Sequence, residues 1–265
     1  TRCLSDWSSD VCSSDLPYTY HAFDVPPADL GEAVRGMRAL GFRGWNVTIP
    51  HKEAIMSHLD EISEEAREIG AVNTVVNEEG RLVGYNTDGS GYVRSLVEET
   101  QVNLKRQRVL IVGAGGAARG VAYALAKAGV PHIVIANRTR AKAVRLAEHL
   151  VCVNDAKAIE LTQLDKWIDA CTLIVNTTSV GMHPAVAETP FDVKLIPEGI
   201  VVSDLIYNPV KTLLLQEAEQ RGCRIHNGLG MFVHQGALAY EMWTGVNAPL
   251  PVMWEAVTDE GERTG

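Results

Sequence analysis

The sequence predicts an α/β protein of two domains, the second a doubly wound parallel sheet, and three observations carry that expectation. From Arg108 onward, short apolar runs rich in branched residues alternate with helix-forming segments, which implies right-handed crossovers and a parallel sheet. A glycine cluster, Gly113, Gly115 and Gly116, joins the first of these runs to the helix after it. A polar stretch, 98–107, separates this half from an earlier one with its own strands and helices, and 265 residues are enough for two modest domains.

Residues 1–16 repeat a Ser-Asp theme (Ser5-Asp6, Ser9-Asp10, Ser14-Asp15) without a helical or strand period. They resemble the translation of a sequencing adapter joined to a truncated gene and are expected to be a non-native segment. The first domain is assigned to 17–102. Tyr18 to Asp24 is expected to be a strand, Pro27 to Leu40 a helix, Gly44 to Ile49 a strand ending at Pro50, and Glu53 to Ile69 a helix with apolar residues at helical spacing. Val72–Asn77 and Arg81–Asn86 alternate around Glu79-Gly80 and read as a hairpin; a helix follows from Thr87 through Val97.

The second domain is assigned to 103–230. Its strands are read at Val109–Val112, His132–Ala136, Cys171–Asn176, Ile200–Asp204 and Arg224–Asn227, and its helices after Gly116, at Ala141–Leu150, after Leu161–Asp165 and at Thr212–Gly222. Apolar helices at Met231–Trp243 and Pro251–Val257, within 231–265, suit packing back against the first domain.

The glycine turn has a specific physical reading. Gly113 can take backbone angles closed to other residues, Gly115 has no side chain to hold a pyrophosphate away, and Ala118 lets the helix sit close to its strand. The free N–H groups at the start of that helix then face phosphates, which is the Rossmann-like arrangement for a dinucleotide. At the end of the next strand, where an NAD site carries Asp or Glu, stand Asn137, Arg138, Thr139, Arg140 and Lys142. Three cations and no carboxylate suit a 2′-phosphate, so NADP is expected, with Arg138 as the fork that binds it. The structural alternative is a basic helix start, N-capped by Asn137 or Thr139, with its arginines in solvent.

A formal charge of −9 argues against a nucleic-acid or anionic-membrane partner, and 46% hydrophobic residues supply real cores. No apolar run approaches membrane-spanning length. Five cysteines without C-x-x-C spacing are simplest as reduced thiols in a cytoplasmic protein, and eight histidines without ligand spacing give no reason to expect a metal.

Polar residues cluster where the first domain's strands should end: Asn46-Val47-Thr48-Ile49-Pro50-His51-Lys52 and Gly84-Tyr85-Asn86-Thr87-Asp88-Gly89. In an open α/β sheet that edge is the ligand crevice, so Lys52 and Asp88 are candidates to face it. Taken singly, a surface lysine at a helix start and an N-capping aspartate are the favoured readings of each.

The ordered set N-V-T-I-P-H-K, G-A-V-N-T, G-Y-N-T-D-G, V-G-A-G-G-A-A, N-R-T, N-T-T-S-V-G-M, D-L-I-Y-N-P and G-L-G-M-F-V-H-Q closely resembles the shikimate dehydrogenase family from Tyr18 to the C-terminus. The resemblance implies an NADP-dependent oxidoreductase of aromatic amino-acid biosynthesis that interconverts 3-dehydroshikimate and shikimate in a groove between a substrate domain and a nucleotide domain. It makes Lys52 the catalytic acid/base and Asp88 its partner. Thr48, Asn73, Asp88, Tyr207 and Gln235 would meet the substrate. Gly113, Ala114, Gly115, Gly116, Ala117, the run Asn137–Lys142, Leu205 and Gly228 would hold NADP, with Glu64 placed nearby by its position after the lysine. The resemblance leaves monomer or homodimer open.

One departure stands against these matches. The family begins with a strand and helix bearing a Ser-x-Ser motif for the substrate carboxylate, and no counterpart precedes Tyr18 at the right distance; Ser13 and Ser14 sit too close. NADP binding is expected to survive this and catalysis to be severely weakened. The competing readings are a quinate/shikimate dehydrogenase using NAD or NADP, a catalytically silent NADP-binding module, and a related reductase of another carbonyl compound.

Overall fold

The computed structural model describes residues 18–150 and 155–263. The expectations for residues 1–16, and for the thiols of Cys3, Cys12 and Cys152, lie outside the described residues.

Two sheets organise the chain. The first is four-stranded and mixed, built from β1 (Gly44–Asn46), β2 (Glu61–Ile62), β3 (Thr74–Glu78) and β4 (Arg81–Tyr85) in the order β1-β3-β4-β2. Its centre is the expected hairpin: β3 and β4 pair antiparallel, and the turn places Glu79 and Gly80 at φ 54° and 95°. Helix α1 (Leu30–Ala39) buries Leu30 and Val34 against Trp45, Ile55, Val75 and Leu82.

Three expectations for this half are corrected. Tyr18–Asp24 is not a strand; the aromatic alternation supplies β propensity, but the segment joins neither sheet of the described residues, and Tyr20 is held instead by its hydroxyl, which donates to Asn46 Oδ1 at 2.9 Å. The strand from Gly44 stops at Asn46, because the chain from Val47 onward turns toward Lys52. The helix expected over Glu53–Ile69 is a 3-10 turn (Ala54–His58), β2, and a short helix α2 (Glu64–Ile69). Asp60 breaks it: its carboxylate accepts the Leu82 N–H at 2.7 Å and pairs with Arg38 at 2.9 Å, and Ser63 then caps α2 through the Ala66 N–H.

The second sheet is wholly parallel. Its strands are β5 (Arg108–Val112), β6 (His132–Asn137), β7 (Asp155–Glu160), β8 (Leu173–Asn176), β9 (Val201–Asp204) and β10 (Arg224–His226), in the order β10-β9-β8-β5-β6-β7. The strand order reverses direction between β5 and β8, so the carboxyl ends of these two strands flank the switch point at which such sheets bind ligands. Strand β7 was absent from the sequence reading, because only Ile159 of its six residues is buried. Helices α4 (Gly116–Lys127), α5 (Arg140–His149) and α6 (Leu213–Gln220) cover the faces.

Helix α3 (Asp88–Thr100) joins the halves and packs against both α4 and α7 (Gly228–Thr244). These crossings are close because glycines make them so. A Cβ on Gly89 would fall 2.5 Å from Gly120 O of α4, one on Gly91 2.7 Å from Gln235 N, and one on Gly230 2.1 Å from Ser95 Oγ. Helix α7 returns to the first sheet, where Trp243 Nε1 donates to Val75 O at 2.9 Å, and α8 (Leu250–Arg263) seats Met253 against Val233 and Ala237. Among the described residues no helix is long and apolar enough to cross a membrane, and no group of three metal-ligating side chains is assembled.

Candidate active site

The turn after β1 is stitched down by backbone bonds on both sides: Val47 N–H donates to Asn73 O and Val72 N–H to Lys52 O, each at 2.8 Å. That fixes the direction in which Lys52 leaves the chain. Its Nζ donates to Asp88 Oδ2 at 2.7 Å, with the two side chains only 28% and 21% exposed. His51 points the other way, its Nε2 lying 2.8 Å from Val25 O.

Asp88 does not cap α3, contrary to the simpler sequence reading. It is the first helical residue, and Asn86 Oδ1 accepts its N–H at 3.1 Å, which frees the carboxylate. The helix start favours a negative charge there. The second carboxylate oxygen, Oδ1, accepts from Asn73 Nδ2 at 2.8 Å. Asn73 is itself fully engaged: its Oδ1 accepts from Thr87 N–H at 2.8 Å and Thr74 Oγ1 at 2.9 Å. Thr87 Oγ1 donates to Gln235 O at 3.1 Å, and Asn73 Nδ2 makes a long 3.5 Å contact to Gln235 Oε1.

Lys52, Asp88, Asn73 and Gln235, drawn from four separate stretches, thus form one connected group. Tyr207 stacks on Phe232, one turn before Gln235 on α7, with ring centroids 5.3 Å apart. Thr48 sits exposed in the turn four residues before Lys52. Asn86 and Thr87 belong to the same group and were missed; the signal was the N-T-D run ahead of a helix, which reads as a cap and gives no hint that Asn86 takes the Asp88 N–H.

The nucleotide half lies at the adjoining strand ends. Gly113 has φ 113°, and a Cβ there would fall 2.4 Å from Thr177 Oγ1, which is held by its bond to Val112 O at 2.8 Å. Gly115, Gly116 and Ala117 are exposed, and a Cβ on Gly115 would meet nothing within 4 Å. The backbone therefore presents an open cradle and the N-terminal N–H groups of α4, which fits a pyrophosphate. Ala118, fully buried, lets α4 lie against β5.

At the end of β6, Arg138, Arg140 and Lys142 are exposed, and Asn137 Nδ2 donates to Thr139 O at 3.0 Å. Neither Asn137 nor Thr139 caps α5 by its side chain, so that part of the structural alternative is set aside. Leu205 and Gly228 touch: a Cβ on Gly228 would lie 2.0 Å from Leu205 O. Glu64 is exposed at the first turn of α2.

Beneath Leu205, the buried Asp204 accepts from Asn176 Nδ2 at 3.0 Å, Ile206 N–H at 3.1 Å and Thr212 Oγ1 at 2.8 Å. Burial nevertheless outweighs these bonds and pushes its carboxyl from 3.8 up to about 6. The folded state thus binds this proton more tightly than the unfolded chain. The stability it contributes is full below 3.8 and is lost as pH rises through about 6. Asp204→Asn is expected to flatten that part of the Tm-against-pH curve, at a general cost in Tm. A fall in Tm over the same window that persists in the variant assigns the titration to another group.

Three family models match the chain: the shikimate dehydrogenase substrate binding domain over residues 8–75, shikimate/quinate 5-dehydrogenase over 95–190, and the shikimate 5′-dehydrogenase C-terminal domain over 228–258. Shikimate dehydrogenase (NADP(+)) of Geobacillus kaustophilus is 49% identical over 233 residues, 87% of this chain and 83% of that protein. Shikimate 5-dehydrogenase of Listeria monocytogenes, solved with shikimate and NAD, is 39% identical with a TM-score of 0.85, over 91% of this chain and 86% of that one. The Thermus thermophilus enzyme, solved with NADP(H) and shikimate, is 39% identical with a TM-score of 0.82, over 91% and 87%.

Proposed function

Because the chain belongs to the shikimate dehydrogenase family, we infer that it catalyses the reversible NADPH-dependent reduction of 3-dehydroshikimate to shikimate. The observation that carries this reading is the 2.7 Å pairing of Lys52 with Asp88 beside the helix of an open phosphate cradle. Bound NADPH supplies the hydride. Gly113 to Ala117 would receive its pyrophosphate, Arg138 with Asn137, Thr139 and Lys142 its 2′-phosphate, and Leu205 and Gly228 its nicotinamide end, with Glu64 at the margin.

Reduction of the C3 carbonyl develops an alkoxide, and Lys52 Nζ, already donating to Asp88, delivers a proton to that oxygen. In the oxidative direction the neutral amine takes it back. Asp88 orients the ammonium and, with Thr48, Tyr207 and Gln235, meets the substrate's polar groups, while the substrate contact expected of Asn73 gives way to its bonds within the protein. Asn73 shares its amide between Asp88 and Thr87, so it holds the carboxylate while the lysine works.

The test is NADPH oxidation followed optically with 3-dehydroshikimate, then with NADH or quinate substituted. Turnover with NADPH and shikimate-series substrate is expected, and NADH is expected to be the poorer donor. NADPH binding with no turnover of either substrate would instead identify a silent nucleotide-binding module.

A further inference from the structure

We propose that Arg119 is a positioning residue that clasps the turn carrying Lys52 to the phosphate-turn helix, so that the two halves of the site are held in register. This rests on the functional reading above. Arg119 lies in the first turn of α4, its N–H bonded to Gly115 O at 3.0 Å. Its side chain reaches across to the first domain and pairs with Glu53, the residue after Lys52. On the way it passes over Gly70, the left-handed C-cap of α2, where a Cβ would sit 3.2 Å from Nη1.

Gly70 is two residues from Val72, whose N–H is bonded to Lys52 O. The guanidinium therefore touches both segments that frame Lys52: Glu53 on one side and the 70–72 stretch on the other. The same Nη2 that pairs with Glu53 lies 3.9 Å from the Cβ position of Gly116, so the pair sits against the cradle. One side chain thus links the backbone that receives phosphate to the backbone that aims the lysine.

Stability is not the purpose of such a pair. The side chains are 35% and 71% exposed, and exposed ion pairs contribute little to folding. Alignment is a different matter, since a displacement of about 1 Å between reacting groups costs about 100-fold in rate.

The experiment compares Arg119→Ala, Glu53→Gln and the reversed pair Glu53→Arg/Arg119→Glu with the unaltered protein. Arg119→Ala is expected to lower kcat by about 10- to 100-fold, to change the NADPH Kd by less than about threefold, and to leave Tm nearly unchanged. Glu53→Gln should lower kcat less, and the reversed pair should recover most of the loss. A reversed pair no better than Arg119→Ala, or a Kd that rises in step with the loss of rate, overturns the clasp; the second result makes Arg119 a phosphate ligand.

Amide hydrogen exchange reads the same coupling without substrate. Adding NADP+ should slow exchange over 47–58 as well as 113–120 in the unaltered protein, and only over 113–120 in Arg119→Ala. Equal slowing of 47–58 in both overturns the proposal. If the unaltered protein fails to reduce 3-dehydroshikimate, the functional reading falls, and exchange still decides the clasp.

Discussion

Replacing Lys52 with methionine is expected to lower kcat for 3-dehydroshikimate reduction by about 1,000-fold, within the range of a lost general acid. Methionine keeps the length of the side chain and removes only the proton donor. Asp88 does not lose its setting, because Oδ1 keeps Asn73 Nδ2 and the N–H of Asp88 keeps Asn86. The NADPH Kd, read by fluorescence titration, should therefore stay within a factor of a few. Arginine is not expected to rescue the rate: it pairs with Asp88 as a cation but does not give up a proton in the working pH range. A methionine variant that retains a tenth of the activity places the acid elsewhere.

Gly113→Ala is expected to weaken NADP+ binding by at least about 10-fold and to lower Tm by several degrees. The native φ of 113° lies outside the regions open to an L side chain, at a cost of about 1–3 kcal/mol. The added methyl also meets Thr177 Oγ1 at 2.4 Å. Thr177 cannot rotate away freely, since its hydroxyl and its N–H both bond to Val112 O. The strain is relieved only by moving the turn that cradles phosphate. Calorimetric titration with NADP+ checks this, and an unchanged Kd would mean that the cradle does not depend on the Gly113 geometry. Gly115→Ala serves as the contrast: its Cβ enters open space in the protein alone, so Tm should hold while the Kd rises.

What was legible in the sequence follows from how many side chains report a given element. The parallel sheet was plain because β5, β8 and β9 are buried on both faces, and β5 and β8 read as near-continuous apolar runs. Strand β7, at the sheet edge with one buried residue, left no such trace. The break in 53–69 was hidden for the opposite reason: Ile55, Met56, Leu59, Ile62 and Ala66 keep near-helical spacing although the chain between them is not one helix. The start of α7 was read three residues late, because Gly228 and Gly230 suggest a loop; each is glycine because a neighbour's atoms occupy its Cβ position.

The site was legible as residue types and not as a constellation. Lys52 and Asp88 stand at strand ends where ligands gather, yet each alone also fits an ordinary surface or capping role. Asn73 and Gln235 are 162 positions apart, and no local pattern joins them. The family motifs supplied that grouping, and the bonds among Asn73, Thr87, Asp88 and Gln235 now give it a geometry. Arg119 and Glu53 escaped notice because their meaning lies wholly in a contact between the two halves.

Helix α3 is interlocked with α7 through Gly91 and Gly230, and this sets an order of events during biosynthesis. At about 5–20 residues per second, a ribosome that has finished α3 needs about 6–25 seconds more to reach Gly228. Throughout that interval α3 has α4 beside Gly89 but nothing against Gly91, and neither Gln235 nor Trp243 exists to close the first sheet. The surface of the first half that α7 covers therefore stays open until the last part of the message is read.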